Sequence, residues 1–390
     1  MDLQRQQNTA KSGFSHSSTC LTSKAKKSHS LFLTQTHQIV ESTYFTPAYM
    51  PQIRKSYLIY SIVLGHFGEL IFFFTYNYRG FYMRINTSIV AAISLLLSAG
   101  AYADTGKLLL TGGVSSIDGA AGGGLTPWAV IGSNATADQI GGTAHISRAV
   151  VNDYSLTSYG AAIGIRDRVE LSIAEQNFDA SPVVGVNGLG FNVNSGQHIK
   201  MDILGVKVKV AGDAVLDSDT YMPQIAVGME YKSTHAGSFS PVLAALGAKD
   251  NGVDFYVSAT KLFLAQGILV NATLRATKAN QNGLLGFGGA LGENNYRLRP
   301  EFSVAYLLNR KVVIGAEYRF KTNNLEKVGN TLPLPSGGLR EDDWKDIFIA
   351  FAPTKNVSVT LAYLDLGRIA PVLVSNRKQT GFFLSTQLAF

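Results

Sequence analysis

Beyond residue 143 the chain alternates apolar and polar residues in runs of about ten positions. In 253–260, for example, apolar side chains take the odd positions, while Asp254, Ser258 and Thr260 take even ones. A period of two is that of a β-strand with two different faces. The pattern predicts twelve strands, at 144–152, 155–165, 168–176, 199–210, 223–232, 253–264, 268–278, 296–308, 312–322, 344–353, 357–366 and 380–390.

The connections between these strands alternate in length. From the third strand on, the long ones are 177–198, 233–252, 279–295, 323–343 and 367–379. The others are short, at 166–167, 265–267, 309–311 and 354–356, with 211–222 as the exception. Long loops gathered at one end are typical of bacterial outer-membrane barrels, whereas a soluble β-sandwich shows no such asymmetry. The sequence predicts an all-β fold, a transmembrane antiparallel up-and-down β-barrel of about twelve strands, with ten to fourteen allowed.

The last predicted strand ends on an aromatic residue, Phe390. It resembles the terminal strand that the Gram-negative barrel-assembly machinery recognises, in which the final residue is usually Phe. We therefore expect Phe390 to act as an assembly signal, with that machinery and outer-membrane lipid as partners.

Aromatic residues near strand ends fit the girdles that outer-membrane barrels place at the two membrane interfaces. The sequence predicts this role for Phe178, Tyr231, Phe255, Tyr296, Phe320, Trp344 and Tyr363.

An export signal precedes the barrel pattern. Met83 and Arg84 form a positive start, 89–97 is an apolar core, and Ala101-Tyr102-Ala103 is a small-x-small cleavage site. We expect a signal peptide at 83–103, cleavage after Ala103, and export to the bacterial outer membrane.

The residues before Met83 allow two interpretations. The apolar run 57–74 predicts a membrane anchor, but a second export signal behind an anchor has no evident use. The favoured interpretation is that 1–82 is an upstream extension outside the natural protein. Cys20 is the only cysteine, so the exported chain has no thiol for a disulfide, a metal site or a nucleophile.

Residues 104–143 lack the ten-residue rhythm of the barrel, which is predicted to occupy 144–390. The glycine-rich run 119–124 lacks the Gly-Lys-Ser/Thr of a phosphate-binding loop. It is suited to close backbone packing. Two interpretations stay open: a plug inside the lumen, or two extra strands at 107–114 and 126–132.

Four stretches of the exported chain carry a family resemblance: 111–128 (TGGVSSIDGAAGGGLTPW), 159–178 (YGAAIGIRDRVELSIAEQNF), 204–215 (LGVKVKVAGDAV) and 223–232 (PQIAVGMEYK). Together they resemble a family of Gram-negative outer-membrane proteins, domain of unknown function 3034, over most of 104–390. The resemblance implies an exported barrel. It implies no activity, substrate or site residue.

Only 16% of the residues are charged, and the formal net charge of +7 belongs mainly to the leader. Residues 1–103 hold nine Lys/Arg and three Asp/Glu, whereas 104–390 hold 25 and 24. This near-neutral balance argues against nucleic acid as a partner.

The alternation also predicts which charged residues face the lumen. They are Arg168, Glu170, Lys207, Lys209, Glu230, Lys232, Asp254, Arg275, Arg297, Arg299, Glu301, Glu317 and Arg319. One interpretation is a small-solute channel or binding barrel whose arginines at 275, 297, 299 and 319 give a modest anion preference. The other is a salt-bridged interior that conducts little, in a barrel with a structural or surface-interaction role.

Enzyme chemistry has weaker support. His145 and Ser147 share one strand face, as in an outer-membrane lipid hydrolase, with Asn152 as the nearest Asn. Asp342, Asp343, His198 and His235 suggest an Asp/His protease. Isolated residues of these kinds are far more often ordinary strand and loop residues. The three His of the exported chain have no metal-ligand spacing, so we expect no enzyme, metal or cofactor.

Overall fold

A computed structural model describes residues 109–181, 186–187, 190–214, 221–333, 337–371 and 376–390. The upstream extension, the anchor candidate 57–74, Cys20 and the signal peptide with its cleavage site lie outside the described residues. They stay predictions.

Twelve long strands follow a two-stranded hairpin, which consists of β1 (Val114–Ser115) and β2 (Ala121–Gly122). The long strands are β3 (Ile140–Val151), β4 (Ser155–Ile165), β5 (Val169–Asp179), β6 (His198–Ala211), β7 (Gln224–His235), β8 (Asn251–Phe263), β9 (Ile268–Thr277), β10 (Arg297–Asn309), β11 (Val312–Arg319), β12 (Trp344–Phe351), β13 (Val357–Asp365) and β14 (Thr380–Ala389).

Each long strand pairs antiparallel with its neighbours along the chain, and β14 pairs with β3 to close the barrel. At this seam the Phe390 amide donates to the Gly142 carbonyl at 2.8 Å, and the Gly142 amide donates to the Phe390 carbonyl at 3.2 Å. The predicted up-and-down barrel of twelve strands is confirmed.

The connections gather as the sequence predicts. The long loops 180–197, 236–250, 278–296, 320–343 and 366–379 share one end of the barrel, and short turns occupy most of the other end. In their described residues the long loops carry two short α-helices, α1 (Ser240–Ala245) and α2 (Glu326–Gly329). In the described part of the chain, no helix has the length and apolar character needed to cross a membrane.

The two faces of the wall differ in chemistry. On β10, Phe302, Val304 and Tyr306 point outward and are 46–50% exposed, whereas Glu301 and Ser303 point inward and are at most 5% exposed. The other wall strands show the same division, and water-soluble proteins rarely expose such a continuous apolar surface. Closure of the sheet also pairs the backbone groups of every strand, as lipid requires. The wall is a membrane-spanning barrel.

The predicted girdle role is wrong for two of the seven aromatic residues. Phe178 and Trp344 are buried inside the barrel, at 8% and 3% exposure. Each has the same parity along its strand as an inward carboxylate, Glu170 on β5 and Asp346 on β12. Strand parity therefore outweighs the position near a strand end.

β3 begins four residues before its predicted start. The prediction began too late because two glycines, Gly141 and Gly142, interrupt the alternating pattern. A Cβ atom at Gly141 would overlap the Phe390 carbonyl and the Ser133 side chain. Glycine fits at this position because Ser133 and the C-terminal residue Phe390 pack against the inner side of β3.

The outward face generates a prediction about depth in the membrane. Val304→Arg, at the middle of β10, should destabilise the folded barrel in lipid by about 2–4 kcal/mol. Leu308→Arg, near the end of the same face, should cost only about 0–1 kcal/mol. Equilibrium folding into lipid vesicles measures both values. Equal costs for the two variants would contradict a lipid-facing wall.

Candidate functional site

The described residues that directly precede the barrel lie inside it. Residues 110–135, which we call the N-terminal segment, are all buried, and Ala129 has no exposed surface. The segment forms the β1–β2 hairpin and then irregular chain. The candidate strand 126–132 contributes only a single bridge, from Pro127 to Gly122. The barrel interior is therefore the candidate site, and this segment fills much of it.

Two wall carboxylates bind the backbone of the segment. Glu170 accepts hydrogen bonds from the amides of Ala121 at 3.0 Å and Gly132 at 2.7 Å. Glu317 accepts from the Leu125 amide at 2.7 Å and from the Thr126 hydroxyl at 2.6 Å. Hydrogen bonds to an ionised carboxylate are about twice as strong as neutral ones. These two side chains therefore fasten the segment on two strands, β5 and β11.

The glycine-rich run makes this approach possible. A Cβ atom at Gly123 would overlap the Glu317 carboxylate, and Gly124 has a φ of 134°, which side chains other than glycine rarely adopt. The two open interpretations are a plug inside the lumen and two extra strands. Among the described residues before β3, the only paired strands are the short β1 and β2, which lie outside the barrel sheet, and the run packs closely inside the lumen.

The carbonyl groups of the segment are bound by wall side chains as well. The Lys207 ammonium donates to Ala121 at 3.0 Å, and the Gln224 amide donates to Ala129 at 2.7 Å. The Thr273 hydroxyl donates to Pro127 at 2.8 Å. Buried backbone groups need such partners, and here the wall supplies them.

Asp118, at the tip of the hairpin, contacts two cations of the wall. Its Oδ2 atom lies 3.3 Å from the Lys232 ammonium and 3.4 Å from the Arg319 guanidinium. Its Oδ1 atom accepts from the Asn282 amide, in loop 278–296, at 2.6 Å. The segment and a loop thus meet at the same pair of wall cations.

The wall charges around Asp118 also pair with one another. Arg275 contacts Glu230 and Glu301, each at 2.7 Å, and Lys232 lies 3.1 Å from Asp254. Arg319 contacts Glu301 at 3.1 Å. The set consists of three cations (Lys232, Arg275, Arg319) and four carboxylates (Asp118, Glu230, Asp254, Glu301), which we call the ionic cluster. All seven side chains are at most 5% exposed.

Nine of the residues expected to face the lumen are buried inside the barrel: Glu170, Lys207, Glu230, Lys232, Asp254, Arg275, Glu301, Glu317 and Arg319. Four others differ. Arg168 is exposed in the turn 166–168, and Lys209 is half-buried and pairs with Asp167 at 2.6 Å. Arg297 and Arg299 are half-buried near the long-loop end of β10.

The expected patch of four arginines is only partly assembled. Arg275 and Arg319 meet on Glu301, whereas Arg297 bonds to Asn324 and Arg299 donates to the Thr322 carbonyl. A net positive lumen stays a prediction. Sequence reasoning missed Asp118 and Asn282, because both lie outside the periodic strands.

The hydrolase residues do not form a catalytic pair. The Ser147 hydroxyl donates to the Ser385 hydroxyl at 2.8 Å, and neither ring nitrogen of His145 has a hydrogen-bond partner in the described part of the chain. Both side chains point inward and are at most 6% exposed, so lipid outside the barrel does not reach them.

The protease candidates are also dispersed. Asp342 pairs with Arg368 at 2.9 Å, His198 bonds to Asn177, and His235 contacts Asp202 at an exposed site. Among the described residues, no three His, Cys, Asp or Glu side chains form a group that could hold a metal ion.

Two ionisable side chains of loop 320–343 are buried at the loop end. Burial is the main influence on each: it lowers the pKa of Lys321 and raises the pKa of Glu341. The Lys321 ammonium lies 3.0 Å from the centre of the Trp344 ring. Glu341 accepts from the Gln281 amide at 2.9 Å. These contacts tie the loops together above the ionic cluster.

Solved structures with a similar arrangement are outer-membrane barrels. A KdgM porin in complex with disordered oligogalacturonate is 10% identical, with a TM-score of 0.38, and the match covers 64% of this chain and 99% of the porin. The outer-membrane phospholipase of Salmonella typhi, a dimer with bound calcium, is 9% identical, with a TM-score of 0.32 and coverages of 63% and 90%.

Omp33 of Acinetobacter baumannii is 9% identical, with a TM-score of 0.32, and the match covers 65% of this chain and 100% of Omp33. Among curated proteins, none has a sequence that matches this chain. The family model described as "Protein of unknown function (DUF3034)" matches residues 111–387.

The close approach at Gly123 generates a prediction. Gly123→Ala should loosen the segment, because the new methyl group displaces a carboxylate that several donors hold, and hydrogen bonds to a charged group contribute about 1.5–3 kcal/mol. Limited proteolysis of the folded barrel should then cleave within 110–135, which the unchanged protein resists.

Glu317→Asp provides a compensating substitution for Gly123→Ala. Its shorter side chain retracts the carboxylate, so the double variant Gly123→Ala/Glu317→Asp should recover part of the protection. Unchanged protease resistance in Gly123→Ala would contradict the packing described here.

Proposed function

The chain belongs to this family of proteins of unknown function, and we propose from its own geometry that it is an outer-membrane barrel that binds and passes a small solute. In this proposal the N-terminal segment closes the lumen at rest. The observation that carries it is the attachment of the segment to charged wall residues, above all Glu170 and Glu317.

The chemistry of the interior supports a lumen that opens. Replacing buried ion pairs by apolar residues is often neutral or stabilising, so a purely structural barrel has little need of them. Without Asp118, the wall part of the ionic cluster has three cations and three carboxylates. This cluster therefore stays balanced in charge when the segment leaves, and water can then solvate it.

A modest anion preference is the finer part of the proposal. Of the nine predicted lumen charges that are buried, four are basic and five acidic. Lys209 pairs with Asp167 and Arg297 with Glu293, so Arg299 is the residue that adds positive charge near the long-loop end. Charges near the mouths of a pore act on entering ions. The hydrolase alternative has less support, because Ser147 bonds to Ser385 rather than to His145.

Residence in the outer membrane, after removal of a signal peptide ending at Ala103, requires recognition by the assembly machinery. Phe390→Ala keeps the backbone bonds to Gly142 and removes only the aromatic side chain. We expect it to lower the amount of folded, heat-modifiable protein in outer-membrane fractions several-fold.

Phe382→Ala is the control for this assembly prediction. It removes an outward aromatic ring, 62% exposed, from the same strand without changing the terminus. Equal amounts of folded protein in the Phe390→Ala and Phe382→Ala variants would contradict recognition of the terminal residue.

Channel activity is tested in planar bilayers with purified protein. The double variant Glu170→Gln/Glu317→Gln removes both charged acceptors of the segment and should open at least about tenfold more often than the unchanged protein, since about 1.4 kcal/mol shifts an equilibrium tenfold. A variant lacking 104–135 should conduct continuously.

Glu175→Gln is the matched control. Glu175 lies on the same strand as Glu170 but contacts Lys200, at 3.6 Å, and not the segment. Its opening frequency should be unchanged. Arg297→Ala/Arg299→Ala should reduce the anion preference of the open steps. Absence of conductance in the folded variant that lacks 104–135 would contradict the proposed channel activity.

A further inference from the structure

The interior has a second region, which is apolar. A cavity of about 50 Å³ lies between the N-terminal segment and the inner faces of β12, β13, β14 and β3. Its exposed lining is mostly apolar and includes Ile117, Leu125, Trp344, Phe348, Leu364 and Phe383, together with one buried carboxylate, Asp346. We call it the lower cavity. It is several times larger than the roughly 10–15 Å³ that a single water needs.

A second cavity, of about 20 Å³, lies towards the long loops, where Phe239, Leu243, Leu325 and Leu339 contribute to its lining. We call it the upper cavity. The two cavities share Tyr154, Phe178, Gln281, Leu285 and Ile369. A single layer of side chains therefore separates them, and together they extend from the loops to the segment.

Unpartnered polar groups lie in this shared layer. Gln281 is 2% exposed, and neither its Oε1 nor its Nε2 atom has a hydrogen-bond partner among the described residues. Tyr154 is 4% exposed, and its hydroxyl also has no hydrogen-bond partner among the described residues. The same is true of the Trp344 indole N–H at the lower cavity. A buried polar group without a partner destabilises the fold, and a bound molecule with a matching polar atom would offset that cost.

The backbone holds Gln281 in place at some cost. Gln281 and Asn282 both have positive φ values, 45° and 65°, which are rare for residues other than glycine. The Gln281 amide donates to Glu341, and the Asn282 side chain bonds to Asp118 and Lys232. These contacts hold the backbone of Gln281 in place, so that its side chain lies against both cavities.

We propose that the two cavities form one binding site for a small, uncharged, largely apolar molecule that carries a single hydrogen-bonding group. A short alkyl portion would occupy the lower cavity, which is smaller than the roughly 150 Å³ that holds benzene. A hydroxyl or carbonyl group would meet Gln281 and Tyr154. The lining favours an uncharged molecule, because an ion here would be desolvated against apolar side chains. The site lies beside the ionic cluster and does not depend on conduction.

Tryptophan fluorescence tests the site in the full mature protein. The chain has two tryptophans, and Trp344 lines the lower cavity, so Trp128→Phe leaves Trp344 as the single reporter. Titration with 2-bromoethanol, a probe chosen for the small cavity, should quench its emission along a saturating curve, and ethanol should reverse the quenching. A linear curve equal to that of free tryptophan octyl ester in the same detergent would overturn the proposal.

A cavity-filling variant tests the location. Ala362 lines the lower cavity, whereas Ala350 is buried inside the same barrel but does not line it. In the Trp128→Phe background, Ala362→Leu should weaken binding at least about tenfold, and Ala350→Leu should change it less than about twofold. Heat-modifiable migration confirms that each variant is folded. Unchanged binding in folded Ala362→Leu would overturn the location.

Gln281→Leu tests the polar contact and does not require filling the cavity. One hydrogen bond of about 1 kcal/mol corresponds to roughly a fivefold change in affinity. The variant should therefore weaken the binding of 2-bromoethanol about fivefold relative to that of bromoethane. An equal change for both molecules would overturn the role of Gln281. Bilayer conductance is read on other variants, so failure of the channel and failure of this site are distinguishable.

Discussion

The N-terminal segment has the least regular structure in the barrel, and its backbone groups are buried where water is scarce. Wall strands satisfy one another through the closed sheet, but the segment has only two short paired strands. Some of its other amides bond to carbonyls of the segment itself, as the Ile117 amide does to Gly124 at 2.9 Å. Many of the remaining backbone groups depend on side chains that point inward. Glu170 and Glu317 accept from the amides, while Lys207 and Gln224 donate to the carbonyls. This requirement explains why polar residues occupy the inward positions of β5, β6, β7 and β11.

Burying those carboxylates has an electrostatic consequence for the rest of the interior. An unpaired ion at low dielectric is costly, so each charge that faces the segment needs a partner. Lys207 lies 3.0 Å from Glu170, and the ionic cluster extends the pairing across β7 to β11. Asp118 is the one member that the segment contributes, and the wall members of the ionic cluster remain paired without it. Glu317 differs, because its hydrogen bonds from Leu125 and Thr126 come from the segment itself.

Alternation along the chain was enough to predict the strands, their faces and most of the inward charges, because a two-residue period is local information. The start of β3 was missed because Gly141 looks like a break, and its reason lies in Ser133 and the far terminus, Phe390. Asp118 was missed because it precedes a glycine in a segment with no period. Its contact with Lys232 joins residues 114 positions apart, which no local pattern shows. Trp344 was wrongly predicted to lie in a girdle, although its position two residues before Asp346 already placed both side chains on the same face of the strand.

The inward face is divided between two chemistries, and the segment touches both. Its polar backbone atoms contact the charged strands, whereas Ile117 and Leu125 help to line the lower cavity on the apolar side. A molecule that binds there needs those two side chains in place to complete its surroundings. Anything that binds one arrangement and not another stabilises the first by mass action. Occupancy of the cavity and the position of the segment are therefore linked through Ile117 and Leu125, and by reciprocity, release of the segment must weaken binding at the cavity.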